Sequence, residues 1–324
     1  MKAAVLHTFG EAPRFEDFPD PTPSSDEILL QVKAVALENV DKAMAQGTHF
    51  GGAQFLPALP AIVAFDGIGA LEDGRLVGFG GIRPPYGAMA EKVVIPRGYY
   101  AAIPEGIDAV TAAAVPGSAL TALFPLKWGA KLQPHETVLV NGATGFTGKL
   151  AVQVAKLLGA GRVVGTGRDV AALQTLLKLG ADAVVDLKQS EASIADALIQ
   201  AGGASGYQVI LDFLWGRPTE LILETFIPRQ LSFAKQRTRL IQIGEMAGSS
   251  LRLPAAALRT SGLEIMGAGG GLTPEAIAEG TQQVWAWIQA GVLGFAIEVM
   301  PLKDVESAWQ RSNTLHGKRI VIVP

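Results

Sequence analysis

One stretch constrains this chain more than any other: Asn141-Gly142-Ala143-Thr144-Gly145-Phe146-Thr147-Gly148, near the middle of 324 residues. It follows Thr137-Val138-Leu139-Val140-Asn141, a short apolar run of the buried-strand type. It opens Thr147 to Leu158, where Leu150, Val154 and Leu157 recur at helical spacing. Small residues at such a turn let backbone N–H groups approach a phosphate, and the helix N-terminus adds partial positive charge. The spacing is Gly-x-x-Gly-x-x-Gly rather than the strict G-x-G-x-x-G. A tight strand-to-helix turn without a ligand would have the same local pattern, so the surrounding order decides.

That order is regular. Arg162 to Thr166, Ala183 to Asp186, Gln208 to Phe213, Leu240 to Ile243 and Leu263 to Gly267 read as further strands. Helical patterns lie between the earlier ones, over Val170 to Leu179 and Ile194 to Gln200. Strands alternating with helices predict a doubly wound parallel sheet of the Rossmann type, with strand order 3-2-1-4-5-6. The first hundred residues are instead β-rich, with Lys2 to Leu6, Glu27 to Val35, Val77 to Phe79 and Glu91 to Ile95 as strands. The end of the chain returns to that style in Ile297 to Met300 and Arg319 to Val323. The expected domains are therefore 1–119 with 275–324, β-rich, and 120–274, dinucleotide-binding.

The second strand bears on cofactor choice. An NAD site usually has an acidic residue about 20 residues after the glycine motif, on the ribose 2′-OH. Here that position is Gly167, followed by Arg168. Losing a carboxylate removes repulsion, and a guanidinium pairs well with a 2′-phosphate. The pair predicts NADP(H), although Asp169 could partly neutralise Arg168. At later strand ends, Phe213 and Leu214 are expected to border the cofactor, because ligands bind outside the carboxyl ends of such strands. Gly244, Gly267, Ala268 and Gly269, in a run reaching Gly271, would allow close backbone approach.

These motifs resemble the zinc-independent, zeta-crystallin-like quinone oxidoreductases of the medium-chain dehydrogenase/reductase superfamily. Ala36-Leu37-Glu38-Asn39-Val40-Asp41 is similar to that family's N-P-V-D segment, and Asp66-Gly67-Ile68-Gly69 to its D-x-A-G turn. Gly87 to Pro96 resembles G-A-Y-A-E-Y-V-V-V-P, and Ala112 to Pro116 with Leu120-Thr121-Ala122 resembles A-A-x-x-P…L-T-A. Pro301 to Val305 and Gly317-Lys318 match its closing segment. Met89 replaces an aromatic residue, and the segment Gly67 to Ala90 is short for the family.

The resemblance implies a GroES-like catalytic domain built from both chain ends. It implies Asn39 and Asp41 near a nicotinamide, and Thr121 beneath it, as the catalytic candidates. Asn39 could equally be a turn residue, Asp41 a structural anchor and Thr121 a helix cap. Gly142, Thr144, Gly145, Phe146, Thr147 and Gly148 would hold the pyrophosphate. His49, Phe50 and Phe55, in a glycine-rich stretch, could line an acceptor pocket, since a planar acceptor favours aromatic neighbours. An ordinary loop is the alternative there.

Several chemistries are disfavoured. The chain has no cysteine, and Phe65-Asp66 stands where zinc relatives place a His-Glu pair. His7, His49, His135 and His316 are scattered, so no metal is expected. None of the four tyrosines has a lysine four residues later, as a short-chain reductase would need. There is no G-x-S-x-G nucleophile elbow. A net charge of −3 with dispersed basic residues disfavours nucleic acid. No charged start with an apolar run marks a signal peptide, and no uninterrupted apolar run reaches the roughly 18 residues of a membrane span. A cytoplasmic setting is expected.

Hydride transfer to an electron-poor acceptor is what remains. The expected activity is NADPH-dependent, metal-free reduction of a quinone or an α,β-unsaturated carbonyl. An enoyl or alkenal reductase shares these features, and an NADPH-binding sensor or structural protein with little turnover is the alternative from another class. The apolar stretch Leu263-Glu264-Ile265-Met266 suggests a sheet edge buried in a homodimer.

Overall fold

The computed structural model describes residues 1–227, 236–259, 261–270, 272–315 and 317–324. His316 and Gly271 therefore lie outside the described residues. The chain divides into two compact units, residues 118–295 and residues 1–117 with 296–324.

The first of these carries a six-stranded, all-parallel sheet. Its strands are β1 (Thr137–Asn141), β2 (Arg162–Gly167), β3 (Ala183–Asp186), β4 (Val209–Asp212), β5 (Thr238–Gln242) and β6 (Leu263–Gly267). Their spatial order is β3-β2-β1-β4-β5-β6, the expected doubly wound order. Every residue of β1 and of β4 is buried, which is why these central strands read as unbroken apolar runs. The helices α1 (Phe146–Leu157), α2 (Val170–Lys178), α3 (Glu191–Gly202) and α4 (Gly216–Glu224) follow the first four strands. Asp169 and Ser190 cap α2 and α3 by accepting from the N–H groups of Ala172 and Ser193. Leu139, Val164, Ile210 and Leu240 of the sheet pack with Leu198 and Ile222 of the helices.

The second domain boundary differs from the sequence expectation. Helix α5 (Ala255–Arg259) precedes β6, and helix α6 (Pro274–Gln289), assigned from sequence to the β-rich domain, belongs to the parallel-sheet unit. The cause is packing. A Cβ on Gly280 would lie 2.6 Å from the Phe124 ring, so α6 sits close against the helix Pro116–Phe124. Lys127 pairs with Glu279 at 2.6 Å, and the Gln153 amide bonds both the N–H and the carbonyl of Gly294. Thr273 caps helix α6, and Pro274 takes its first position.

The other unit holds a seven-stranded sheet and a three-stranded sheet. The strand Arg319–Val323 lies between Ile297–Pro301, which it pairs in parallel, and Glu27–Leu37, which it pairs antiparallel. Strands from the first forty residues and from the last thirty thus share one sheet, while Lys2–Leu6 lies in the three-stranded one. Leu6, Leu30, Met89, Val93, Ile95, Trp309 and Ile322 belong to its core. The helical stretch 109–129 is long and apolar enough to cross a membrane by length and composition alone. Half of it is buried inside the protein, as in core helices, and Pro116 and Pro125 interrupt it.

Candidate functional site: a nucleotide turn and a separate cluster in the β-rich unit

The turn between β1 and α1 is built for close approach. Gly142 has φ +92°, a conformation that side chains rarely adopt. A Cβ on Gly148 would lie 2.5 Å from the Gly142 carbonyl oxygen, so only glycine lets α1 start this close to the strand. Gly145 is the N-cap of α1 and provides no side-chain cap; a Cβ there would meet open space. Open space at the first turn of a 12-residue helix suits a phosphate group. Phe146 is buried, so its contribution to such a site is its backbone rather than its ring. The Thr147 hydroxyl donates to Ser118 Oγ at 3.2 Å.

Beneath the turn lies a buried polar network. Asn141, Thr166, Asp212 and Thr219 are each fully buried. The Thr166 hydroxyl donates to Asn141 Oδ1 at 2.7 Å and accepts from the Gly142 N–H at 3.0 Å. Asn141 Nδ2 donates to Asp212 Oδ1 at 2.9 Å and to Thr219 Oγ1 at 3.3 Å. The Thr219 hydroxyl donates to Asp212 Oδ2 at 2.7 Å. Asp212 Oδ1 also accepts from the N–H groups of Leu214 and Trp215, at 3.0 and 3.1 Å. Sequence reading placed Asn141, Thr166 and Asp212 at or near strand ends but gave them no role in a network, and it missed Thr219. The available signal was a polar residue closing each of three otherwise apolar strands.

The cofactor candidates from sequence gather at one edge of the parallel sheet. Gly142 to Gly148, Gly167 with Arg168, Phe213 with Leu214, Gly244, and Gly267 to Gly269 lie at or just beyond the carboxyl ends of β1, β2, β4, β5 and β6. Gly167 has a local reason to be glycine: a Cβ there would lie 2.2 Å from Thr144 Cγ2. The side chain of Thr144 thus occupies the space that an acidic residue would need. Arg168 is exposed and makes no ion pair among the described residues. Asp169 accepts from the Ala172 N–H as a helix cap. Thr121 lies inside the helix Pro116–Phe124 rather than at its end.

In the β-rich unit, Asn39 is exposed at the first position of the helix Asn39–Ala45. Asp41 is buried and accepts from the Glu38 N–H at 2.8 Å, closing a reciprocal capping box with Glu38. Arg319 holds the same corner, donating to the Leu37 carbonyl at 3.1 Å and pairing with Glu38 at 3.0 Å. Burial raises the Asp41 carboxyl well above the usual carboxylate range, and the Glu38 carboxylate adds to the rise. Asp41 also lines a small apolar cavity with Phe55, Phe65 and Tyr86. Phe55 packs against Phe65 with the rings tilted and their centroids 5.0 Å apart, and it joins the core. Phe50 is different: it is 99% exposed and stacked on His49 at 4.5 Å. Structure therefore separates the three acceptor candidates, with Phe55 facing inward and Phe50 facing solvent. Phe65, where a zinc relative has histidine, offers no ligand atom. Among the described residues no group of three His, Asp or Glu side chains is placed to hold a metal.

Comparison with known proteins agrees with this fold. Residues 147–288 match the family model described as zinc-binding dehydrogenase. The chain is 30% identical to quinone oxidoreductase-like protein 2 of Bos taurus, a match spanning 60% of this chain and about half (52%) of that protein. It is 26% identical to the trans-enoyl reductase pgmF of Aspergillus terreus, over 92% of this chain and 86% of the relative. The solved quinone oxidoreductase of Thermus thermophilus, also determined with NADPH, superposes with a TM-score of 0.76 at 28% identity, covering all of both chains. A parallel sheet with a glycine turn and a β-rich unit is the fold that these quinone oxidoreductases share. The chain's similarities lie with quinone oxidoreductase-like proteins, among which the Thermus thermophilus enzyme matches it over the whole chain.

Proposed function

We propose that this protein is an NADPH-dependent oxidoreductase that reduces a quinone without a metal. The observation that carries the reading is the glycine turn at the carboxyl edge of the sheet, with exposed Arg168 one residue beyond β2. The residues fit the cofactor. Gly145 leaves room at the start of α1 for a pyrophosphate, and Gly142 and Gly148 keep the backbone close. The unengaged guanidinium of Arg168 suits a 2′-phosphate, and no carboxylate stands at position 167 to oppose it.

When bound, a reduced nicotinamide supplies a hydride equivalent. The Asn39 amide donates a hydrogen bond to the acceptor oxygen as negative charge develops there. Asp41 acts on Asn39 indirectly, by fixing the backbone at Glu38. Phe50 offers an aromatic face to a planar acceptor, with His49 stacked behind it. Metal-free reduction is consistent with a sequence that has no cysteine. The pgmF relationship favours a second reading, in which the acceptor is the carbon–carbon double bond of an enoyl group.

The test is a fluorescence titration of wild type and Arg168→Ala with NADPH and NADH. Wild type is expected to bind NADPH more tightly. Arg168→Ala is expected to weaken NADPH about tenfold or more while leaving NADH unchanged, the loss of a charge-assisted contact. Equal losses for both cofactors would remove the 2′-phosphate assignment. Steady-state NADPH oxidation with a small quinone and with a 2-enoyl thioester then separates the two acceptor readings.

A further inference from the structure

We infer that Asn141, Thr166, Asp212 and Thr219 act as one set of positioning residues that shapes the two cofactor-holding turns, 142–148 and 213–216. The inference rests on the NADPH reading of the glycine turn. Three of the hydrogen bonds in the network end on backbone N–H groups of these turns: Gly142 in one, Leu214 and Trp215 in the other. A polar cluster that served only the core would have no need to reach them.

The network admits a single arrangement of its donors. Both Asn141 Nδ2 hydrogens are used, on Asp212 and Thr219, so the carboxamide oxygen must face the Thr166 hydroxyl. The Thr166 proton goes to that oxygen, which leaves its lone pair for the Gly142 N–H. The Thr219 proton goes to Asp212 Oδ2. Flipping the amide would set its oxygen against the Asp212 carboxylate, and turning a threonine hydroxyl would set donor against donor, both costly states.

Two further observations tie the network to the turns. Trp215 has φ +55° and ψ −166°, in a region essentially reserved for glycine. Its N–H is held by Asp212, so the carboxylate helps to maintain a strained backbone at the β4 end. The turns also touch: a Cβ on Gly142 would lie 2.9 Å from Leu214 Cδ2 and 3.4 Å from Phe213 Cβ. The two turns therefore lie side by side, with no room for a side chain at position 142. The Asp212 carboxylate is held by N–H and O–H donors alone, with no cationic partner among the described residues. Similar apolar side chains could fill such a site without burying a charge, and a polar set is better explained by the geometry it imposes.

The experiment uses the full chain, with Thr166→Val, Thr166→Ser and Thr219→Val. Each variant is titrated with NADPH and with NADH, alongside thermal unfolding. Thr166→Val keeps the side-chain shape but removes the acceptor for the Gly142 N–H. It is expected to weaken both cofactors equally, by about tenfold. Thr166→Ser restores the hydroxyl and is expected to bind within about twofold of wild type. Thr219→Val acts one bond further away, and about a threefold equal loss is expected. Folded Thr166→Val that binds both cofactors like wild type would overturn the inference. If Thr166→Val does not fold, unchanged affinities in Thr219→Val overturn it instead. Wild type that binds neither cofactor marks a different failure, that of the NADPH reading itself.

Discussion

The parallel-sheet unit and the β-rich unit carry their candidate residues in different ways. In the first, every cofactor candidate lies at or just beyond the carboxyl end of a strand, and the strands lie side by side in one sheet. In the second, Asn39 opens a seven-residue helix, Phe50 sits on an exposed loop and Phe55 packs inward. Repetition makes the first arrangement readable: one turn per strand end, all at one edge. The second depends on where individual loops go, which no local pattern specifies.

The largest expected effect tests the closeness of the nucleotide turn. Gly148→Val would push a side chain into the Gly142 carbonyl and the Ala143 backbone, neither of which can swing aside. Destabilisation of about 1–3 kcal/mol is expected, as for overpacking elsewhere. Loss of NADPH binding should accompany it; chemical denaturation and titration check both. A well-tolerated valine there would erase the contrast between the two units.

A smaller effect is expected at Asp41 of the β-rich unit. Its carboxyl is raised in the folded protein, so the folded state holds a proton that the unfolded chain releases above the ordinary value of 3.8. The sign follows: Asp41 lowers stability as pH rises from about 4 toward its folded value. Asp41→Asn retains the oxygen that accepts from Glu38 and removes the titration. The neighbouring charges of Glu38, Asp66 and Arg319 remain. The variant is expected to lose less stability than wild type as pH rises above about 4, measured by urea unfolding. A steeper loss in the variant would mean that Asp41 is ionised in the fold.

The smallest structural effect is expected at Phe50. With 99% of it exposed, Phe50→Ala should change stability by no more than about 0.5 kcal/mol. KM for a quinone is expected to rise a few-fold, with the NADPH dissociation constant unchanged. An unchanged KM would leave Phe50 as an ordinary loop residue and assign the acceptor contacts elsewhere.

Much of the parallel-sheet unit was legible because burial on both faces leaves long apolar runs. β6 and the closing strand Arg319–Val323 fall on the residues expected. Helix α6 was placed in the other domain because its sequence says nothing of Phe124, against which Gly280 packs. Gly167 was legible as a missing carboxylate, but its contact with the Thr144 side chain was not, since 23 positions separate the two residues along the chain. The Asn141–Thr166–Asp212–Thr219 network escaped for a similar reason. Its members are each ordinary polar residues until the sheet brings three strand ends together.

The position of the last strand has a consequence for the order of assembly during synthesis. Strand Arg319–Val323 pairs with Glu27–Leu37, and Arg319 bonds the Leu37 carbonyl across 282 positions of sequence. Until the ribosome has released residues 319–323, Val35, Ala36 and Leu37 lack their native partner on one side, whereas Glu27 to Gln31 already have Lys92 to Pro96. The parallel-sheet unit does not wait in this way, because residues 118–295 are continuous and emerge earlier. The unit with the nucleotide turn can thus become native while the nascent β-rich unit still carries an open strand edge, the exposure that chaperones recognise.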